Sequence, residues 1–504
     1  SLSLSLSIAQ DYSLSFDGDD DWVDLGSYNS YGLNNSIQSF TINFKTKVSE
    51  FPSNAESYIF GTPMFGGNSD RGFRIQADHD KGFTAAVGGN STIVYAQTPN
   101  NKEADIWYNI TMVLDQGDEC GECGGDSLFL YIDGLLEAVE SISAVGTINN
   151  EYNINLGAFV GQWYGNPYNG SIDDVSIWNY AFSADEVLNI NSYLDGDESG
   201  LIAYWPADEE VESGNILYDH SGNGNHGTIN GATWVENIYG CTDSYADNYD
   251  ETANVDDGSC AYPDNGDYSL SFDGDNDYVD CGQSPSLRID GALTYSSWVF
   301  LNDETNVAGI MGRGSAYSGT TSDEASLMAI TWGASEDGIV LFEISDGVND
   351  SYILSNSTIS LNEWYHIVCT WDGTMSDNSM KIYIDGELDS SGASDISSIN
   401  DNANVQLFKF GNRDLSSTAL NNGGPPYGFL DGSINDVSVW NVSLSHDQII
   451  NYLTSELAGD EEGLVGYWNL HAGSGDILYD HSGNGNHGTI NGATWVENIE
   501  GCTD

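Results

Sequence analysis

Carboxylates in glycine-rich turns are the side chains of this sequence best suited to chemistry. The segment FDGDDD places Asp17 and Asp20 in one short turn, and FDGDND places Asp273 and Asn276 in the same way. Calcium takes about six to eight oxygen ligands from carboxylates, amide side chains and carbonyls held in loops. We therefore predict Ca2+ ligands at both turns.

A second acidic motif follows in each half, as GSIDD and then as GSIND. These motifs add further oxygen ligands to the predicted set. The predicted metal ligands are Asp17, Asp20, Asp173, Asp174, Asp273, Asn276 and Asp436. The alternative is that they are solvated turn residues, because the chain has 78 acidic residues in all.

An acidic stretch bracketed by Cys241 and Cys260 offers another metal site. The predicted ligands there are Asp243, Asp247, Asp250, Asp256 and Asp257. A plain spacer closed by a disulfide is the competing interpretation. Disulfides persist in oxidising compartments, so the pair favours an extracellular location.

The remaining cysteines and histidines favour structural roles. Cys120 and Cys123 lie in a glycine-rich loop and not in the βαβ setting of a redox site, so we predict a small disulfide. Cys369 lies in an apolar run typical of a buried thiol. The motif DHSGNGNHG occurs twice with two histidines each, but its glycines and asparagines favour a tight surface turn over a zinc site.

The charge of the chain limits its partners. With 11 basic and 78 acidic residues the formal net charge is −67. Such a surface repels nucleic acid and anionic membranes and attracts divalent cations or basic partners. Solvation in salt water explains the same composition. We expect no membrane span, because no apolar run reaches about 18 residues.

A long internal repeat defines the organisation. Ile216–Asp243 recurs as Ile477–Asp504 with one difference, Tyr239 against Glu500. A repeat this widely spaced fits a whole domain plus a linker, and we interpret the chain as part of a longer tandem array. The predicted segments are a signal remnant or N-terminal strand at 1–11, domains at 12–239 and 267–500, a linker at 240–266, and the start of a next linker at 501–504.

Short alternating runs of polar and apolar residues, bounded by Gly, Asn and Asp, predict β-strands throughout both halves. One helix per half is indicated by capping boxes at Ser183 and Ser445, each followed three residues later by Glu186 or Gln448. We predict an all-β fold of two tandem antiparallel β-sandwich domains with one short helix each.

The ordered motifs FDG-x-D-[DN]-[WY]-V, YIDG, G-x-I-[DN]-D-V-x-[IV]-W-N and YW…SGNGNHGT resemble LamG-like jelly-roll domains of the concanavalin A-like lectin/glucanase superfamily. The resemblance covers most of both halves and implies two facing sheets, often with bound calcium. It also implies that the FDG and G-x-I-[DN]-D segments lie close together. The linker resembles Cys-bracketed acidic repeats of large secreted bacterial surface proteins.

The resemblance also raises enzymatic and carbohydrate-binding alternatives. Glucanases of this fold typically carry an E-x-D-x-E strand, which is absent here, so we predict that the chain is not an enzyme. Aromatic residues in two loops could stack on sugars, or else cover the sandwich edge. The predicted glycan-binding residues are Trp163, Tyr164, Tyr168, Tyr427 and Phe429.

The sequence therefore predicts a non-catalytic extracellular repeat segment of a large cell-surface, filament or adhesin protein, stabilised by calcium. Its expected partners are neighbouring copies of itself or other repeats of a longer chain. The alternative is a lectin-like carbohydrate-binding module, which would serve as an accessory to a polysaccharide-degrading enzyme.

Overall fold

The chain divides into two compact units, which we describe separately. Unit 1 comprises residues 1–239 with 252–255, and unit 2 comprises residues 240–251 with 256–504. Unit 2 thus includes most of the segment that the sequence analysis set apart as a linker. The computed structural model describes residues 11–33, 39–63, 72–79, 82–90, 92–98, 102–117, 126–146, 148, 152–158, 167–190, 194–208, 214–303, 307–314, 324–333, 336–400, 407–412 and 428–498.

Unit 1 is built from antiparallel strands. They are β1 (Tyr12–Asp17), β2 (Trp22–Ser27), β3 (Phe40–Val48), β4 (Ser57–Gly61), β5 (Gly72–Ala77), β6 (Phe83–Gly88), β7 (Ile93–Gln97), β8 (Trp107–Asp115), β9 (Ser127–Ile132), β10 (Leu135–Ser141), β11 (Asn153–Leu156), β12 (Asn169–Trp178), β13 (Leu201–Trp205), β14 (Ile216–Leu217), β15 (Gly227–Asn230) and β16 (Thr233–Glu236). One sheet has the order β10-β9-β8-β3-β12-β1-β16, with β13 paired to β12, and the other has the order β14-β15-β2-β11-β4-β5-β6-β7.

One short strand lies just before Cys241 and another lies inside the cysteine-bracketed segment, and unit 2 then repeats the strand order of unit 1. The strands are β17 (Tyr239–Gly240), β18 (Val255–Asp256), β19 (Tyr268–Asp273), β20 (Tyr278–Asp280), β21 (Leu293–Leu301), β22 (Val307–Gly314), β23 (Glu324–Gly333), β24 (Glu336–Ser345), β25 (Asp350–Leu354), β26 (Trp364–Trp371), β27 (Met380–Ile384), β28 (Glu387–Gly392), β29 (Phe408–Phe410), β30 (Asp431–Trp440), β31 (Leu464–Trp468), β32 (Ile477–Leu478), β33 (Gly488–Asn491) and β34 (Thr494–Glu497). One sheet runs β28-β27-β26-β21-β30-β19-β34, with β31 paired to β30, and the other runs β25-β24-β23-β22-β29-β20-β33-β32.

The two sheets of each unit pack face to face around an apolar core. In unit 1 the rings of Phe44 on β3 and Phe60 on β4 meet edge to face at 5.8 Å. In unit 2 the rings of Tyr295 and Phe408 are likewise 5.8 Å apart. Alternation along the strands explains this packing, because every second side chain points to the same face. The predicted all-β sandwich fold is confirmed.

One short helix per unit covers the outer face of a sheet. The helices are α1 (Ala184–Asn189) and α2 (His446–Thr454), with 3-10 helices at Tyr28–Tyr31 and Pro285–Leu287. Both predicted capping boxes form, since Ser183 and Ser445 each exchange hydrogen bonds with the third helical residue. Val187 and Ile449 are the buried residues that fix the helices on the sheets. Among the described helices, neither has the length and apolarity needed to cross a membrane.

Candidate functional site

The acidic turn after β1 brings three carboxylates together. Ligand atoms of Asp17, Asp20 and Asp21 all lie within 4.8 Å of one another. Asp21, which the sequence analysis did not select, is buried and accepts a hydrogen bond from the Asp17 backbone at 3.0 Å. Burial raises the pKa of its carboxyl group, and the neighbouring carboxylates add to that increase against the backbone hydrogen bond. Asp17 and Asp20 are the exposed members of the cluster.

The corresponding turn in unit 2 has the same backbone arrangement and fewer carboxylates. Asp277 accepts the Asp273 backbone hydrogen bond at 3.0 Å, and Asn276 replaces Asp20. A Cβ on Gly492 would lie 1.9 Å from Oδ1 of Asp277, so glycine is required for this close approach. Asp21 and Asp277 thus hold their turns together by accepting a backbone hydrogen bond, a role that the sequence pattern does not indicate.

The two predicted calcium motifs lie side by side on paired strands, as the resemblance implies, but their aspartates lie far apart along those strands. β1 pairs with β12 in a register that places Asp17 opposite Asn169 and Leu14 opposite Ile172. Asp174 lies five residues beyond Asn169, which along a strand corresponds to roughly 17 Å. The register of Asp273 opposite Asp431 separates Asp436 in the same way. The structure therefore does not bring the FDG and G-x-I-[DN]-D motifs into one ligand set.

In unit 1 the second motif is engaged by protein side chains. Lys45 Nζ lies 2.8 Å from Asp174 Oδ2, and the hydroxyl of Tyr204 donates to Asp174 Oδ1 at 3.1 Å. Asp173 is buried and accepts a hydrogen bond from Asn237 Nδ2 at 3.1 Å. Burial, with the nearby Asp174 carboxylate, raises the pKa of Asp173 well above its usual value.

In unit 2 the equivalent place is an open cleft on the outer face of the sheet. Trp298 occupies the strand position of Lys45, since Lys45 pairs with Asn109 and Trp298 pairs with His366. The cleft has a volume of about 360 Å³. It is lined by Asp267, Ser296, Trp298, His366, Asp436, Ser438, Tyr452, Leu453, Thr454, Ser455, Glu456, Leu457, Tyr467 and His471.

The cleft has an uncommon electrostatic character. Burial raises the pKa of Asp436 to about 6; Asp267 and Glu456 contribute in the same direction and His471 opposes them. Burial lowers the pKa of His366 to about 4, so this imidazole is neutral at neutral pH. The sequence signal that could have revealed this cleft is the pair of exchanges between the aligned halves, Lys45 for Trp298 and Asn109 for His366.

The predicted glycan-binding aromatics do not form an exposed surface where the structure describes them. Tyr168 is fully buried, and its hydroxyl lies 2.6 Å from Thr46 Oγ1. Phe429 is only 4% exposed. Neither ring can present a face to a sugar, so these two predictions are corrected. Trp163, Tyr164 and Tyr427 lie outside the described residues.

The cysteine-bracketed segment forms the predicted disulfide between Cys241 and Cys260. Among the described residues, no three of its carboxylates converge as metal ligands. Asp243 instead lies 2.7 Å from His487 Nε2 and accepts a hydrogen bond from the Tyr262 hydroxyl at 2.6 Å. The predicted pair Cys120 and Cys123 lies outside the described residues, as do residues 1–10.

The DHSGNGNHG motif forms a tight turn around a buried aspartate in both units, as predicted. Asp480 accepts backbone hydrogen bonds from Tyr467, Ser482 and Asn486 at 2.8–2.9 Å. The glycines adopt positive φ, as at Gly483 with 78°. Asp219 makes the equivalent bonds in unit 1.

The remaining described cysteines are free and buried. Cys281 and Cys369 have no disulfide partner, and burial raises the pKa of both thiols. Cys369 is therefore a buried thiol, as its apolar surroundings in the sequence predicted.

The family profile Laminin_G_3, of the concanavalin A-like lectin/glucanases superfamily, matches residues 17–188 and 273–450. The matches cover more than half of the chain, so the chain belongs to this family, with one matched region in each unit. Comparison with curated proteins yields no match.

Three solved structures match parts of the chain at low identity. A Bacteroides ovatus protein proposed to bind carbohydrate is 17% identical, with a TM-score of 0.36. The match covers 45% of this chain and 60% of the Bacteroides protein. The CBM40 of the Ruminococcus gnavus IT-sialidase, bound to α2,3-sialyllactose, has 18% identity and a TM-score of 0.30 over 36% of this chain and 98% of its own. Domains LG4-5 of the mouse laminin α1 chain have 10% identity and a TM-score of 0.28 over 88% of this chain and 96% of theirs.

Proposed function

We propose that the chain is a non-catalytic extracellular repeat segment of a large cell-surface or filament protein, with a structural or adhesive role. The observation that carries this proposal is the disulfide-closed loop, residues 240–262, whose ends fold onto the unit 2 sandwich. Asp243, near one end of the loop, lies 2.7 Å from His487. Unit 2 is therefore a sandwich together with parts of the loop that precedes it.

The loop contacts form a compact aromatic cluster. The ring of Tyr262 stacks on Tyr479 at 5.3 Å and meets His481 and His487 edge to face at 5.0 and 5.4 Å. The disulfide closes the loop over a sequence separation of 19 residues. A bridge of that span stabilises the folded state by roughly 3 kcal/mol through restriction of the unfolded chain. Disulfides persist in oxidising compartments, which supports the extracellular part of the proposal.

The extracellular part of the proposal is tested by peptide mapping of the protein isolated from its native source. Free thiols are blocked at once, and the peptides are identified without reduction. We expect Cys241 and Cys260 in one linked peptide pair, while Cys369 serves as the control for a blocked thiol after unfolding. Recovery of Cys241 and Cys260 as blocked thiols would overturn the extracellular assignment.

Calcium binding at the acidic turn of unit 1 is the finer part of the proposal. Its support is the convergence of Asp17, Asp20 and Asp21. A bound cation would neutralise carboxylates that otherwise repel one another, and thereby stabilise the turn. Unit 2 is expected to bind calcium more weakly, because Asn276 brings no charge.

Calorimetry with and without calcium tests this site. Calcium at about 100 times its dissociation constant should add about 2.7 kcal/mol to the free energy of unfolding. Asp20→Asn should remove most of that gain, whereas Asp19→Asn, in the same turn but outside the cluster, should keep it. An unchanged calcium response in Asp20→Asn would exclude the site.

A second candidate function is carbohydrate binding in the outer cleft of unit 2. Ligand sites combine aromatic surfaces with a few polar groups in a concave pocket, and this cleft offers the partly exposed ring of Trp298 beside Asp436. Glycan-array binding by the chain should be lost in Trp298→Ala. Binding that survives this change, or no binding to any glycan, would leave the structural role alone.

A further inference from the structure

The histidine turns of the two units have the same sequence but different exposure. In unit 1, Tyr218 is 38% exposed and His226 is exposed. In unit 2, the matching Tyr479 and His487 are only partly exposed, and the His487 side chain retains 7% of its exposure. Local sequence cannot cause this difference, because the motif DHSGNGNHG and its flanks are identical.

The loop segments within unit 2 account for the difference. Tyr262 packs against Tyr479 and His487, and Tyr245 meets the His487 ring edge to face at 5.0 Å. Asp243 completes the contact with its carboxylate at His487 Nε2. The surface thus recognises one carboxylate and two aromatic rings.

The turn itself prepares the histidine for this contact. Nδ1 of His487 accepts the backbone N–H of Asp480 at 2.9 Å, so a neutral ring carries its proton on Nε2 and donates it to a carboxylate. Nδ1 of His226 accepts the backbone N–H of Asp219 at 3.0 Å. The same tautomer of a neutral ring, with Nε2 as the donor, is therefore favoured in unit 1.

Unit 1 has the matching tyrosine and histidine, Tyr218 and His226, but among the described residues no loop segment of the residues 240–262 type packs on them. The rings of Tyr218 and His226 lie 5.3 Å apart, against 5.9 Å for Tyr479 and His487. In the part of the chain that the structure describes, no hydrogen bond reaches Nε2 of His226. We call this pair, Tyr218 and His226, the vacant histidine surface.

We propose that the vacant histidine surface is a docking site for a second Cys-bracketed acidic loop of the residues 240–262 type. The loop would place an aspartate at His226 and a tyrosine ring on Tyr218, as Asp243 and Tyr262 do at the matching positions of unit 2. The sequence supports recurrence of such loops, because Gly501–Asp504 repeats Gly240–Asp243. This inference rests on the proposed repeat function and names its partner.

The test titrates the full chain with a labelled, disulfide-closed peptide of residues 240–263 and follows fluorescence anisotropy. We expect one bound peptide per chain. His226→Ala should weaken binding about tenfold, the value of one hydrogen bond to a charged group. Thr228→Ala, an exposed neighbour outside the surface, is the matched chain control and should bind like the wild type.

Peptide variants test the chemistry of the contact. Asp243→Asn in the peptide should weaken binding about tenfold, whereas Asp257→Asn should leave it unchanged. No binding up to about 1 mM peptide, or equal binding to His226→Ala, would overturn the docking site. Binding that is lost in His487→Ala instead would show exchange into unit 2 and overturn it as well. None of these failures alters the disulfide map that tests the extracellular repeat function.

Discussion

The two units share strand order, core and helix, and yet they differ at the outer cleft. In unit 1, Lys45 spans the space and pairs with Asp174 at 2.8 Å. In unit 2, Trp298 takes the place of the lysine, and Asp436 faces an open cavity. The exchanges of Lys45 for Trp298 and of Asn109 for His366 thus accompany the change from a filled ion pair to a concave site on a shared scaffold.

The histidine turns differ in the opposite way. Their residues are identical, but only the unit 2 copy is covered by loop segments of its own unit. The two outer clefts therefore differ in their own side chains, whereas the two histidine turns differ only in the segments that pack on them. The comparison teaches that sequence identity between repeats does not imply equal accessibility.

The largest expected effect tests whether the turn scaffold is truly shared. Asp480→Ala would leave three buried backbone donors without an acceptor and should lower the free energy of unfolding of unit 2 by about 3–5 kcal/mol. Asp219→Ala should do the same in unit 1. Denaturant unfolding that resolves the two transitions measures both. Tolerance of either change would break the structural equivalence of the turns.

The next effect separates the two clefts by pH. With a pKa raised by burial to about 6, Asp436 contributes its stability fully below its usual value of 3.8 and loses it as pH rises through about 6. Because one pKa unit corresponds to about 1.4 kcal/mol, Asp436→Asn should stabilise unit 2 by on the order of 2 kcal/mol at about pH 7. Near pH 4 the difference should vanish.

Unit 1 provides the control of opposite sign. Asp174→Asn removes the ion pair with Lys45 and should lower stability by up to about 1 kcal/mol, as expected for a partly exposed pair. Thermal unfolding across the pH range distinguishes the two outcomes. Stabilisation by both substitutions would show that the clefts are electrostatically alike.

A smaller effect concerns the covered turn. His487→Ala and His226→Ala each remove the acceptor of a backbone N–H, that of Asp480 and that of Asp219 respectively. His487→Ala also removes the contact with Asp243 and should therefore cost about 1.5 kcal/mol more than His226→Ala at neutral pH. Burial opposes the ionisation of Asp243 and is the largest single influence on its pKa. The hydrogen bonds from Tyr262, Tyr245 and His487 together outweigh burial, so the pKa of Asp243 is lowered. The stabilisation should therefore fade as pH falls below about 4. Equal costs for both variants would contradict the difference in covering.

The smallest effect is expected at the helix caps. Ser183→Ala and Ser445→Ala should each cost about 1 kcal/mol, because each serine accepts a backbone N–H at the start of its helix. Thr454→Ala, at the end of α2, is the control and should change stability less. Clearly unequal costs for the two serines would show that the helices do not pack equivalently.

Much of the fold could be predicted because its signals are local. Alternating residues on β8 place Ile110, Met112 and Leu114 in the core, and the serine of each capping box begins a helix. The cysteine spacing was also informative, since Cys241 and Cys260 form the disulfide. Each signal lies within a few neighbouring residues or one loop.

The site predictions fared less well because they depend on register between distant segments. Proximity of Asp17 and Asp174 was expected, but pairing of Asp17 with Asn169 separates them along the strand. The surface role predicted for Tyr168 was wrong for a different reason, because an aromatic loop residue can point inward as easily as outward. No periodicity distinguishes these outcomes.

By itself, the sequence determined that two copied sandwiches form, where their helices begin and which cysteines meet, because strand alternation, caps and short loops are encoded locally. Only the tertiary structure decided that Trp298 lines a cleft beside Asp436 and that Asp243 meets His487. Those contacts join residues far apart in the chain. They depend on how sheets align and on where a loop settles, which follow from the packing of the whole unit.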